Sequence, residues 1–347
     1  MVPHNHFTQM TPARTRNALQ RIQAGIWHSR LPVRVKSGKP VTPPFHWGRM
    51  FQRKTFTLEL LRPRWNGPVF LQWQDQGEAT LYVDDAPYYG FDVAHRVCRL
   101  PSRYRRLRVD AICCQSAIWH PAATGLDAQG SRFDGAWIMQ RDDLAWSCYH
   151  DLLVLFELLT EELKSAQPQA NWTGRSGTKP PLDRASYLCR FLLGGLDRVL
   201  NAYEQHGLSS MHTALRSLYR SLRTDELRPQ CTMVGHAHID VVWLWPQETG
   251  ELKTVHTFAN ANYLMDHYRQ FSFSHSTPFC YEAVARREPR LARQVAARVK
   301  SGRWEKLGGG YVEPDTMIPC GEALAHGFLI GQAAAPSRSS RTVAQPL

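Results

Sequence analysis

From about residue 229 the chain alternates two kinds of hydrophobic pattern, and this alternation constrains its architecture more than any other feature. TMVGHAHID (232–240), QFSFSHST (270–277) and RWEKLGGGYVEPD (303–315) have the short apolar texture of strands. TVHTFANANYLMDHY (254–268) and YEAVARREPRLARQVAARVKSG (281–302) repeat their apolar residues at helical spacing, the second stopping at Gly302. Strand, helix, strand, helix, strand is the order of βαβ units, which build a parallel sheet or a barrel. Residues 321–332 are expected to open the next helix.

The preceding residues have other textures. FTLEL (56–60), PVFLQW (68–73) and ATLYVD (79–84) read as strands, with turns expected at Asn66-Gly67 and Asp85-Ala86-Pro87. Repeated short strands predict a β-sandwich over residues 1–140. DLLVLFELLTEEL (151–163) is apolar at helical spacing, and two further helices are expected over 184–205 and 209–223. Gly207 falls where a helix cap would. The expected organisation is therefore multidomain: a β-sandwich-like domain (1–140), a small helical region (141–228), the start of an α/β, β/α barrel-like domain (229–332), and a tail (333–347). A break rich in Gly, Pro, Ser and Thr falls at about 167–181. The tail AAAPSRSSRTVAQPL is small, polar and without a core-forming period.

Charge excludes little by itself. Residues 1–110 carry 18 Lys/Arg against seven Asp/Glu, nearly all of the net +12. These basic residues are scattered among aromatics and prolines, without a recognition-helix pattern, so a solvated surface is expected and nucleic acid is not a partner. No stretch is long and apolar enough to span a bilayer, so no membrane partner is expected. The N-terminus lacks the apolar core of a secretory signal. Eight cysteines without a CxxC pair then read as reduced thiols, and the expected location is cytoplasmic. The 11 Trp residues serve mainly as core filling, with a sugar-facing minority.

The chemistry gathers at His238-Ile239-Asp240. On a strand, residues i and i+2 share a face, so an imidazole and a carboxylate converge. Nitrogen plus oxygen is half of a zinc site, and the C-terminal end of a parallel strand is where such sheets place their active sites. A hydrogen-bonded polar pair is the structural alternative. His236 lies on the same face and reads as a supporting histidine or a third ligand. Asp315 follows the third strand after the triple glycine 308–310, and Glu313 would share its face if the strand continued. The alternative for Asp315 is an ordinary turn aspartate. Trp243 and Trp245 follow the pair; a flat indole there suits the C–H face of a sugar, and core packing is the alternative for Trp245.

GHAHIDVVWLWP (235–246), YEAVARREPRL and VKSGRWEKLGGGYVEPDTMIPCGEAL, in that order, resemble the start of the catalytic domain of glycoside hydrolase family 38 α-mannosidases over roughly residues 232–332. EATLYVDDAPYYGFDVAHRVCRLP (78–101) resembles the N-terminal β domain of the cytosolic and vacuolar branch. The resemblance implies zinc-dependent, retaining hydrolysis of terminal α-mannosyl residues in oligosaccharides. His238 and Asp240 match the zinc-binding pair. Asp315 matches a carboxylate that is both zinc ligand and nucleophile, and Trp243 matches an aromatic of the sugar subsite. Retention requires a second carboxyl group as acid. The family supplies that acid, and one further zinc-binding histidine, from later in its chain. The resemblance ends at Gln332, so the expectation is a truncated form, weakly active or inactive, as a frameshift would produce. A homo-oligomer is open for the full-length family. A non-catalytic carbohydrate-binding protein built on the sandwich is the alternative function.

Overall fold

A computed structural model describes residues 6–60, 65–115, 129–165, 186–222, 232–307 and 309–334. The 167–181 break and most of the 333–347 tail lie outside the described residues. The chain divides into two compact units, Met1–Arg30 with Met139–Gln230, and Leu31–Ile138 with Cys231–Leu347.

The first unit is helical. Helices His6–Ile26, Asp143–Ser165 and Tyr187–Ser221 share one core that includes Ile22, Leu152, Leu155, Leu196 and Leu215. The helix 6–26 lies where the sandwich reading expected only strands. Tyr187–Ser221 is broken at Gly207, whose φ of 77° belongs to the left-handed region that glycine enters without steric cost. That break separates the two helices expected from the sequence. Arg14 joins the elements through Asp197 (2.6 Å), Asn201 (2.7 Å) and Glu204 (2.9 Å).

The second unit begins with two sheets face to face. One is antiparallel, in the spatial order Lys39–Val41, Arg34–Ser37, Arg53–Glu59, Leu107–Ile112, Glu78–Val83, Ala86–Phe91. The other includes Phe45–Trp47, Phe70–Asp75, Val97–Arg99 and Ser131–Arg141. Alternation sets the register: Phe56 pairs with Val109 and Leu58 with Leu107, all four pointing inward. Trp73 and Phe133, 4.5 Å apart between ring centroids, come from the opposite sheet and complete the core. The three strands expected at 56–60, 68–73 and 79–84 lie within these sheets. The hairpin turn is Asp84-Asp85, one residue earlier than Asp85-Ala86-Pro87. Both aspartates have positive φ (49° and 65°), as the twist of a two-residue hairpin demands.

The remainder of this unit is the βαβ segment. Strands Gly235–His236, Phe273–His275 and Trp304–Lys306 form a parallel three-stranded sheet in that order. The strands are shorter than the apolar runs that announced them. Helices Gln247–His267, Pro278–Arg287 and Pro289–Lys300 connect them. The single helix expected over 281–302 is two helices, because Glu288 precedes Pro289 and takes φ −137°, ψ 70°. Phe258, Phe273 and Trp304 centre the core of this segment, with Phe258 edge-on to Trp304 at 4.9 Å. Gly321–Ala334 is helical, as expected.

Helix Gln247–His267 has no free side. Thr254, Val255, Phe258, Ala261 and Met265 are buried, most of them in the core beside the parallel sheet. The stripe Lys253, His256, Asn260, Tyr263 faces the sandwich. Lys253 pairs with Glu78 (2.5 Å) and His256 with Asp92 (3.5 Å). Asn260 bonds the Gly90 backbone twice, and Tyr263 accepts from the Arg99 amide at 2.8 Å. These residues recur at helical spacing, so one rigid face meets the edge strand Ala86–Phe91 and its neighbours. Tyr82, hydrogen-bonded to Glu288 at 2.6 Å, adds a second attachment. Sandwich and βαβ segment are thereby one body.

Candidate active site

The site stands at the C-terminal ends of the parallel strands, where the first strand gives way to the loop 237–246. His238 Nε2 lies 3.1 Å from Asp240 Oδ1, so the expected pair is together although the strand stops at His236. The second carboxylate on His238 is Glu313, against Nδ1, and Ser276 donates to the same Glu313. Asp315 is elsewhere: it is exposed, and its Oδ1 accepts from the Met317 amide at 2.8 Å. The reason is local. The third strand ends at Lys306, so the alternation that would align Glu313 with Asp315 does not continue. The loop beyond is fixed instead by the Tyr311 amide on the Gly327 carbonyl (2.8 Å) and the Tyr311 hydroxyl on Glu282 (2.7 Å). This brings Glu313 to the strand ends.

The electrostatics follow from the clamp. The hydrogen bond to Glu313 raises the His238 pKa; burial opposes this, and Asp240 adds to it. Burial by itself would raise Glu313, but hydrogen bonds from Ser276 and His238 outweigh it and hold the carboxyl below its ordinary range. The first strand is also secured by side chains. His236 Nδ1 bonds the Ser274 carbonyl (3.0 Å), and His275 Nδ1 bonds the Ala237 carbonyl (3.1 Å). His275 is fully buried, and burial lowers its pKa to about 4. The imidazole is therefore neutral, a proton donor at Nδ1 only.

The donor set fits one half of a zinc site. Two ligands at the usual zinc distances on a tetrahedron are about 3.3 Å apart, close to the 3.1 Å between His238 and Asp240. Glu313 on Nδ1 orients the ring as metal-bound histidines are commonly oriented, by a carboxylate on the other nitrogen. The other half is not gathered: among the described residues no three His, Cys, Asp or Glu side chains converge as a metal site.

The pair opens on a cleft of about 490 Å³, walled by His238, Asp240, Trp243, Lys253 and His256 on one side and by Phe51, Glu78 and Asp92 of the sandwich on the other. Trp243 is 48% exposed and stands edge-on to Trp245, with ring centroids 5.5 Å apart. Trp245 turns its indole N–H onto the Asp240 carbonyl at 3.0 Å. Trp243, expected from the sequence to face a sugar, lines this cleft. Glu313 was expected only to share the face of Asp315, not to partner His238, and the sandwich wall was not expected. Glu313 could have been found as an acid two residues before Asp315. The wall could not, because Glu78 and Lys253 are 175 positions apart.

Residues 228–339 match the family model "Glycosyl hydrolases family 38 N-terminal domain". Alpha-mannosidase G of Dictyostelium discoideum is 34% identical over 112 residues, 32% of this chain and 10% of that protein. Alpha-mannosidase 2C1 of Mus musculus is 31% identical over 300 residues, 80% of this chain and 26% of that protein. The human Alpha-mannosidase 2C1 is 32% identical over 130 residues, 38% of this chain and 11% of that protein. The chain thus spans about a quarter or less of these relatives' length.

Proposed function

We propose, from the membership of residues 228–339 in glycosyl hydrolase family 38, that this chain carries part of the active site of an α-mannosidase acting on terminal α-mannosyl residues of oligosaccharides. The observation that carries the reading is the His238–Asp240 pair, 3.1 Å apart and held by Glu313, in a cleft beside the exposed Trp243. Zinc would be held in part by His238 and Asp240. When bound it would supply a Lewis acid that polarises sugar hydroxyls and keeps a nearby carboxylate ionised. Glu313 keeps the His238 ring in place, and Trp243 offers its face to the C–H side of the sugar. Asp315 is the nucleophile in this reading, which makes the reaction retaining and calls for a second carboxyl group as acid. Asp315 would have to approach the pair when the loop 309–320 is fully assembled around substrate.

Two measurements test this. Zinc affinity of the metal-stripped chain, by competition with a chromophoric chelator, is expected to fall at least 10-fold in His238→Ala and in Asp240→Ala. An activated 5-fluoro-mannosyl fluoride is expected to label the peptide that contains Asp315, as located by mass spectrometry. Unchanged zinc affinity in both variants would remove the metal site, and labelling of a different carboxylate would remove Asp315 as nucleophile.

A further inference from the structure

The sandwich reaches the site through a chain of three contacts. Glu78 begins the strand Glu78–Val83, and its carboxylate is nearly buried, with 11% of the side chain exposed. It accepts from Lys253 Nζ at 2.5 Å, and the Lys253 side chain is 14% exposed. The same ammonium stands over the Trp245 ring, 4.3 Å from the centroid. Trp245 donates from Nε1 to the Asp240 carbonyl at 3.0 Å and supports the edge of Trp243. An ammonium over an indole face is attracted to the ring, and the more so the less water screens it. It also draws electron density from the ring and strengthens the N–H as a donor. Without Glu78, Lys253 would be a nearly buried cation without its carboxylate and would turn toward water. Trp245 would then lose the charge that fixes its tilt.

We propose that Glu78 is a positioning residue for this site, acting through Lys253 and Trp245 to hold the Asp240 backbone and the Trp243 ring in place. The sandwich is then a working part of the site rather than an appended domain. The proposal rests on the reading of His238 and Asp240 as zinc ligands, but its first measurement does not.

The first measurement uses the metal-free chain labelled with ¹⁵N in its indoles. The Trp245 N–H resonance is assigned as the signal missing in Trp245→Phe. In Glu78→Gln it is expected to move clearly, while Glu59→Gln, which breaks the exposed Lys36–Glu59 pair of the same sheet, leaves it in place. Zinc affinity by chelator competition is expected to fall about 10-fold in Glu78→Gln and in Trp245→Phe, and to stay within twofold in Glu59→Gln. Should Glu78→Gln fail to fold, the double variant Glu78→Leu/Lys253→Met removes both charges at similar volume and is expected to give the same two changes. A folded Glu78→Gln or double variant with an unmoved Trp245 resonance overturns the relay. A moved resonance with zinc affinity within twofold overturns the positioning role. If zinc affinity is indifferent to His238→Ala and Asp240→Ala, the metal reading fails, and the Trp245 resonance still decides whether the relay exists.

Discussion

Gly90 lies directly beneath the imidazole of His256: a Cβ added there would stand 2.2 Å from the ring's Cδ2 and 2.5 Å from Nε2. His256 is 7% exposed and is held by Asp92, so the ring has nowhere to go. Glycine is required at this strand position by close approach rather than by backbone conformation. Gly90→Ala is expected to lower stability by about 1–3 kcal/mol, the usual cost of overpacking. Urea unfolding at neutral pH measures it, and a midpoint equal to that of the parent chain would contradict the packing.

One position farther along the same helix face, Asn260 accepts from the Gly90 amide (2.8 Å) and donates to the Gly90 carbonyl (3.1 Å). An amide side chain does both, and a carboxylate can only accept. Asn260→Asp therefore keeps one bond and sets an oxygen against the Gly90 carbonyl. The expected loss is about 1–3 kcal/mol at pH 7. It should partly recover as the new carboxyl is protonated in acid, because a protonated carboxyl can donate again. Thermal melts at pH 7 and pH 4, each compared with the parent chain, show whether the recovery occurs.

His275 gives a pH signature of its own. Burial holds its folded pKa at about 4 against 6.5 for the free side chain. Between those values the unfolded chain carries a proton that the folded chain does not, so stability rises with pH and is lost as pH falls from 6.5 to 4. The full effect is up to roughly 3 kcal/mol. Asp75 works in the opposite direction: burial raises its pKa to about 6, so the folded state binds the extra proton between 3.8 and 6. A comparison isolates His275. His275→Asn retains a donor for the Ala237 carbonyl and does not titrate. The stability difference between parent and variant should shift toward the variant from pH 7 to pH 5. A difference that stays constant would mean that His275 is not held neutral.

What the sequence revealed and what it hid differ by range of interaction. The alternation of parallel strands with helices and the closeness of His238 to Asp240 were legible, because spacing of one or two residues and alternation of texture are local properties. The helix 6–26 was hidden by reading the first 140 residues through their Trp, Pro and Gly. The split at Glu288 was legible in principle, since the residue before proline avoids helical backbone, but the strong periodicity on both sides masked it. The exchange of Asp315 for Glu313 beside His238 has a different cause. Alternation holds only while a strand lasts, and this one ends at Lys306. The stripe of Lys253, His256, Asn260 and Tyr263 was visible as a period but not as a docking face, since it is polar and its partners lie in residues 78–99.

Gly250 sits at the start of helix Gln247–His267, where a Cβ would lie 1.9 Å from the Val241 carbonyl oxygen and 2.8 Å from its carbon. In an unobstructed helix, replacing glycine by alanine gains about 1 kcal/mol. Here the obstacle is backbone, which no rotamer change can move aside. The turn 241–245 must retreat from the helix, and it carries both Trp243 and the indole that holds the Asp240 carbonyl at 3.0 Å. Gly250→Ala is therefore expected to keep the fold, with an unchanged far-ultraviolet circular dichroism spectrum, while the Trp245 indole resonance moves and zinc affinity falls at least 10-fold. The two contributions differ in range: propensity acts on the helix alone, whereas the clash acts on the loop. A variant that gains thermal stability with the resonance and zinc affinity unchanged would show that the loop yields without disturbing Asp240, and that the close approach of Gly250 to Val241 does not set the site's geometry.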